Sequence, residues 1–525
     1  MKFLKVLFLF LFLSNTICET ALHAQDALNA EDLNLDISMT DVFKDDRKFT
    51  DLSFSVSDKN KGVYLVRRYN KGYYIEHYDS NLNIVKEYDI ELHKKEGDIE
   101  NAFLRGNNLC LIESFYDKST KELQYYSRTA QDNEATLKRE FLFSIPLKDI
   151  KKPNYFSLFT TYDSKSDDDV LGMFKTSIHA NYIAFTIDIL DDAAEKHSIF
   201  VFDNNLNPIY QTEFTRGIKD RKFILQNIDV SDEDGTVYLL GKTFTKDKKQ
   251  KNSGGKYQFE LYKIKKDHQM SVVFDSGDKF IGSLTTKKGD DYLFCVGFYS
   301  LKNDNRYKGL VHLAIDPNDL TIKSTKYTPF TSQFIIDKYG KTKDKELKNI
   351  VFREVFITDT NEAVIHAEEF FIEVTQTMGA NGMMGGQNRT YHYRDVICAK
   401  ISSGGELIWA RNINKKQTSG NLDRYLSFSS THVNGKSYLF LNSNGKVKKL
   451  SNDRIEFRGG SSNKADLTAV VINDEGDFDF AYVLDSDKAE VPFEAGAAVM
   501  TEKGKSLVFK GRVGNKKQLL KISVD

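Results

Sequence analysis

His392 stands between Tyr391 and Tyr393, directly after a glycine- and methionine-rich stretch, "TQTMGANGMMGGQNRT", from Thr375 to Thr390. An imidazole beside such a segment is the residue type that general acid–base chemistry uses. Glycines widen the backbone's choices and methionines offer adaptable apolar contacts, so the stretch suits an irregular lid or a docking loop. Met378, Met383, Met384, Arg389, His392 and Arg394 are therefore the candidate binding residues. The "YHY" alternation is equally what aromatic packing across paired strands requires. His77 and His312 lie inside strand patterns, which suits packing more than proton transfer.

No catalytic set assembles around these residues. The sequence holds no HExxH, CxxC, GxSxG or glycine-rich phosphate loop, so no catalytic residue, metal ligand or cofactor is assigned. The acidic runs "DSKSDDD" (Asp163 to Asp169), "DEDG" (Asp232 to Gly235) and "NDEGD" (Asn473 to Asp477) offer oxygen ligands. None follows the spacing of a calcium loop, and DG or EG at a hairpin tip is ordinary turn chemistry. Scattered carboxylates permit a glycosidase only if the fold pairs them. Trp409, in "ELIWARNI", shares a strand face with Leu407 and Arg411, as a packing residue or a ligand platform would. Cys110, Cys295 and Cys398 each sit in an apolar run, the pattern of buried free thiols.

The elements that must position these groups are strands. "GLVHLAIDPNDLTIKST" from Gly309, "YYIEHYDSNLNIVKEYDI" from Tyr73 and "HSIFVFDNNLNPIYQTEF" from His197 are one hairpin written three times. Period-2 alternation runs from Leu52 to Val524, and 38 Phe and 26 Tyr against 6 Pro favour sheets. Turns fall at Asp79, near Gln131, and at Asp203, Lys266, Asp316, Ser402 and Asp474, with a second pair of strands before most of them. "LDDAAEKH" (Leu190 to His197) is the best helical pattern, of a couple of turns. Four-stranded units repeated without a linker predict an all-β propeller of eight blades, with seven as the alternative. The last unit lacks a strand, and "NLDISMT" (Asn34 to Thr40) is placed to supply it and close the ring.

The stretch Glu368 to Ser419 resembles a group of exported β-propeller-like proteins of the Bacteroidetes. These share a strand, a Thr/Gly-rich insertion, "YHYxDxxxxKI", a glycine turn and an "IWxxxI" strand followed by "KxQ". The match runs through Tyr391, His392, Tyr393, Asp395, Lys400, Ile401, Gly405, Ile408, Trp409, Ile413, Lys415 and Gln417. The resemblance carries no catalytic residues. It implies an exported propeller of the kind that accompanies outer-membrane transport machinery.

The amino terminus reads as a secretory signal peptide over residues 1–24, with two lysines, an apolar run from Val6 to Leu13 and a small-residue exit at Ala24. Residues 25–525 then form one propeller domain with an insertion at about 375–390. A net charge of −1 gives no general attraction for nucleic acid or anionic lipid, and no later segment reads as membrane-spanning. The expected function is a non-enzymatic periplasmic propeller, possessing no direct membrane span, that binds another envelope protein or an outer-membrane transport or secretion complex. A carbohydrate-active or other hydrolytic propeller and a small-molecule or calcium-binding module are the alternatives.

Overall fold

The computed structural model describes residues 30–524 apart from short internal gaps, the longest at 151–171 and 245–256. The signal segment and the "DSKSDDD" run lie outside the described residues. Eight antiparallel sheets follow one another along the chain, each pairing its strands mainly in sequence order. Blades 1 to 7 span residues 49–91, 97–146, 172–216, 223–273, 280–329, 350–419 and 429–484. Blade 8 comprises Val499–Thr501, Ser506–Val513 and Lys516–Val524, and its fourth, outermost strand is Leu35–Met39. The expected latch is present, antiparallel from Leu35↔Val524 to Met39↔Leu520. Blades 2 and 3, whose sequence pattern is the least regular, are also four-stranded.

The hairpins at Asp79, Asp203, Ser402 and Asn473 share one turn chemistry. Asp79 Oδ1 accepts hydrogen bonds from the backbone N–H of Asn81 (2.9 Å) and Asn83 (2.8 Å), and Asn473 Oδ1 does the same for Glu475 and Asp477. The fourth residue then turns left-handed: Leu82 (φ 64°), Leu206 (62°), Gly405 (87°) and Gly476 (90°). Glycine fits that slot freely, whereas leucine there costs about 1–2 kcal/mol. Burial offsets the cost, because Leu82 and Leu206 are only 5% and 9% exposed and plug the crevice between two blades.

Irregularities also repeat. The innermost strands of blades 1, 2, 4, 5 and 6 slip register around Ser53, Glu100, Gln226, Gly282 and Arg353. The outermost strands of blades 1, 3 and 6 slip just after the turn, around Val85, Ile209 and Ile408. Each extra residue bulges outward, which explains why these three apolar side chains are 59%, 40% and 46% exposed. The bulge at Ile408 also separates Leu407 from Trp409. Leu407 packs in the blade 5–6 core and Trp409 in the blade 6–7 core, not on one shared face as strict alternation predicts.

Ring closure follows from the cores. One apolar cluster lies between each successive pair of blades, from blades 1–2 through to blades 7–8. An eighth, built from Leu52, Val63, Leu65, Tyr78 and Leu82 with Val499, Val508 and Leu519, joins blade 8 back to blade 1. Each sheet therefore covers its neighbours' apolar faces in a circle. One local expectation fails. Glu195 to His197 open a strand, because Glu195, His197 and Ile199 alternate into the blade 3–4 core and pairing with Asp188 and Arg216 outcompetes a short helix. The α-helix lies instead at Ser332–Tyr339, capped by Thr331 and by Gly340 at φ 71°.

Candidate functional site

Two places in the ring gather exposed functional groups: a ribbon rising from blade 6 and the central channel. In blade 6 the strands Ala363–Met378 and Met384–Ile401 stay paired well past the first strand, whose register stops at Ile350↔Glu369. The insertion at 375–390 is thus not an irregular loop. Strand pairing carries on to Met378↔Met384, because β-branched Ile372, Val374 and Thr375 favour the extended backbone that the glycines merely permit. Met378 and Met384 are the last backbone partners of the ribbon, and Met383 lies outside the described residues.

Side chains on the ribbon sort by alternation. Ile372 and Val374 share a face with Tyr391 and the exposed Arg389, and are 39% and 50% exposed. His392 lies on the other face, stacked on Phe371 at 4.5 Å. Its Nδ1 accepts from Arg394 Nη2 at 3.1 Å, which leaves Nε2–H to donate to Glu373 Oε2 at 3.1 Å. The imidazole is a strut between an arginine and a glutamate, with no serine or cysteine bonded to it among the described residues.

Beneath the ribbon lies a buried ionic network that sequence reasoning missed. Glu368 and Lys415 are fully buried with Nζ–Oε1 at 2.6 Å; Arg353 and Ser427 also bind the Glu368 carboxylate. Burial pushes that carboxyl up, but Lys415 and Arg353 hold it below its usual range. Lys415 Nζ also donates to Gln417 Oε1 (3.1 Å), and Gln417 Nε2 to the Asn442 carbonyl (2.8 Å). Asp395 accepts from Lys338 (2.7 Å) and from the Lys415 backbone N–H (3.0 Å). Trp409 Nε1 donates to the Asp474 carbonyl (2.9 Å), while Lys400 binds the Asp474 carboxylate. The spaced Tyr, Asp, Lys, Trp and Gln of the motif are therefore internal fastenings of blade 6 and its junction with blade 7. The signal available in the sequence was a charge inside an apolar strand, as in "VIHAEEFF".

The channel is lined by the innermost strands. A cavity of about 320 Å³ holds Ser53, Phe54, Arg353, Glu354, Arg424, Phe428 and Ser430 among its walls. Another of about 220 Å³ is lined by Lys175, Asp229, Asp232, Lys287 and Lys288. The aromatic-lined cavity has a single carboxylate, Glu354, among its described residues, so it lacks the acid pair a glycosidase needs. Ser430 Oγ lies 2.8 Å from His366 Nδ1, but the other ring nitrogen meets Ser437 (2.9 Å) where a triad would place a carboxylate. Burial pushes His366 down to about 3, so it stays neutral and is a poor proton acceptor. Asp232 is a clasp between blades 3 and 4: it binds Ser177 and accepts from the backbone of His179 and the side chain of Asn181. The "NDEGD" turn closes a hairpin. Cys110, Cys295 and Cys398 are buried free thiols, the first two pushed up to about 12 by desolvation.

No family model and no curated protein matches the chain. Solved structures similar to it include prolyl oligopeptidase B from Galerina marginata, at 10% identity over 89% of this chain and 56% of that one, with a TM-score of 0.39. The β-propeller domain of the Trilobed protease from Pyrococcus furiosus is 12% identical over 69% of this chain and 94% of its own, with a TM-score of 0.34. A post-proline cleaving enzyme from Rickettsia typhi is 11% identical over 86% and 56%, with a TM-score of 0.37. The chain spans about half the length of the prolyl oligopeptidases it matches. Likenesses this distant say nothing of chemistry, and the fold rests on this chain's own sheet order and cores. Among the described residues, no helix is long and apolar enough to cross a membrane.

Proposed function

We propose that this protein is a non-enzymatic propeller of the periplasm that binds another protein of the cell envelope, as part of an outer-membrane transport or secretion assembly. The observation that carries the reading is the blade 6 ribbon. The third strand stays beside the ribbon as far as Tyr391↔Ser419; beyond that pair the ribbon is two-stranded, and with Ile372 and Val374 exposed it keeps apolar surface and strand edge in water. Docking covers both. The buried network of Glu368, Arg353 and Lys415 supports the same reading, since it anchors the ribbon's base rigidly. The amino-terminal sequence supports export.

Affinity purification of the tagged full-length protein from its native envelope, after mild cross-linking, tests the proposal. A stoichiometric partner is expected, and Ile372→Lys with Val374→Lys is expected to release it while leaving the melting temperature within about 2 °C. Recovery of the free chain alone, or a partner indifferent to both substitutions, overturns it. Among the described residues, the hydrolytic alternative has the Ser430–His366 contact in its favour, and that contact lacks both an acid and a basic imidazole.

A further inference from the structure

Away from the ribbon and the channel, blade 3 brings Asp188, Glu195 and His197 together on the face it turns toward blade 4. Asp188 is the penultimate residue of the second strand and lies directly across from His197 on the third; Glu195 precedes His197 by two residues. In an antiparallel pair, one cross-strand neighbour and one residue two positions along place three side chains on the same face, with Cβ atoms roughly 5–7 Å apart. Their tips then converge. One ligand atom from each residue lies within 4.8 Å of the other two, and His197 Nε2 is 2.7 Å from Glu195 Oε1.

We propose that this triad is a binding site for a divalent transition-metal ion, Zn²⁺ or Mn²⁺. One imidazole nitrogen and two carboxylates form the donor set such ions accept, whereas Ca²⁺ takes six or more oxygens and no nitrogen. Glu195 and His197 are each 4% exposed, so their orientation is set by packing; Phe214 and Phe223 stand 5.9 and 6.4 Å from the imidazole. Asp188 is partly exposed and marks the side from which an ion enters. The site lies on strands and is independent of the docking reading.

The test uses the full chain, stripped with chelator and titrated with ZnCl₂ and separately MnCl₂, with bound metal measured by elemental analysis after dialysis. One ion per chain and a raised melting temperature are expected with at least one of the two salts. His197→Ala and Asp188→Asn are each expected to weaken binding at least tenfold, and His392→Ala to leave it unchanged. Asp188→Asn, on the partly exposed side, serves even where His197→Ala fails to fold. Wild type that retains neither ion, or an ion that stays equally tight in both triad variants, overturns the proposal.

Discussion

Among the described residues, the junction between blades 7 and 8 buries sixteen apolar residues, and that between blades 8 and 1 buries eight. The difference is made up with charge. Beyond Val508 and Leu519, the blade 8 surface that faces blade 1 continues in Lys510, Arg512, Lys517 and Lys521, at alternate positions of the same strands. Blade 1 answers with Arg67 and Glu76, paired at 2.6 Å, and Glu502 bridges Lys61 and Lys521 at 3.0 Å each. Lys510, 4% exposed, reaches Glu494 at 3.6 Å, and burial pulls it below its ordinary value. Buried pairs of this kind add little net stability, because desolvation consumes most of their attraction. The junction where the ring's ends meet is thus sealed by oil and salt together.

The latch explains how a weaker junction is tolerated. Leu33 and Leu35 pack into the blade 7–8 core, so the amino-terminal strand binds blade 8 through its backbone and blade 7 through its side chains. The chain then runs on into blade 1, which makes that junction covalent like the others. Leu35→Asp tests this most severely. A carboxylate forced into that core is expected to cost about 4–5 kcal/mol, read by urea unfolding, with blade 1 the first region to lose hydrogen-exchange protection. A loss below 1 kcal/mol would show that the latch does not hold the ring.

Arg67→Met comes next. Leaving Glu76 buried without its partner is expected to cost about 3–5 kcal/mol, and Arg67→Met with Glu76→Leu to recover most of it. Lys415→Met, which leaves the Glu368 carboxylate to Arg353 and Ser427, should cost less and unfold a different region first. Equal exchange patterns in the two variants would erase the distinction between the junctions.

Acid should strike elsewhere. His366, between blades 6 and 7, and His312, in blade 5, are pushed down by burial to about 3 and about 4. Their folded values lie below the unfolded one, so their contribution is complete above pH 6.5 and is lost as pH falls toward those values. At pH 5 each costs about 2 kcal/mol. His366→Asn should flatten the acid limb of a stability–pH profile while lowering stability at pH 7. Glu100 has the opposite sign. Burial raises it to about 7, so its contribution fades as pH rises from 4.5, and Glu100→Gln should stabilise the protein at pH 8.

The smallest effect concerns the turn leucines. Leu206→Gly removes the plug but also its left-handed strain, and is expected to cost about 1–2 kcal/mol, less than Leu206→Ala, which keeps the strain. Leu82, at the salted junction, should show the same order with smaller losses. Alanine proving milder than glycine at both sites would rule out strain at the turn.

Much of this architecture was legible beforehand, for a local reason. Strand alternation, the Asp-led turns and the missing final strand are properties of short segments, and period-2 burial writes them directly into the chain. Tyr391 to Gln417 likewise stood out, yet its meaning did not. Lys415 and Glu368 lie 47 positions apart and Trp409 and Asp474 65 apart, so only the stacked blades reveal that the motif fastens the ring from within.

The sequence by itself determined the eight hairpin units, the latch strand and the candidate ribbon, because alternation and turn chemistry act between residues a few positions apart. Tertiary structure alone decided that the ribbon is paired strand, that His392 is braced between Arg394 and Glu373, and that Asp188, Glu195 and His197 converge. Bulges decided which side chains face in, and one unpaired residue reverses every parity beyond it. Charges found their partners across strands and across blades, where no spacing along the chain records the distance.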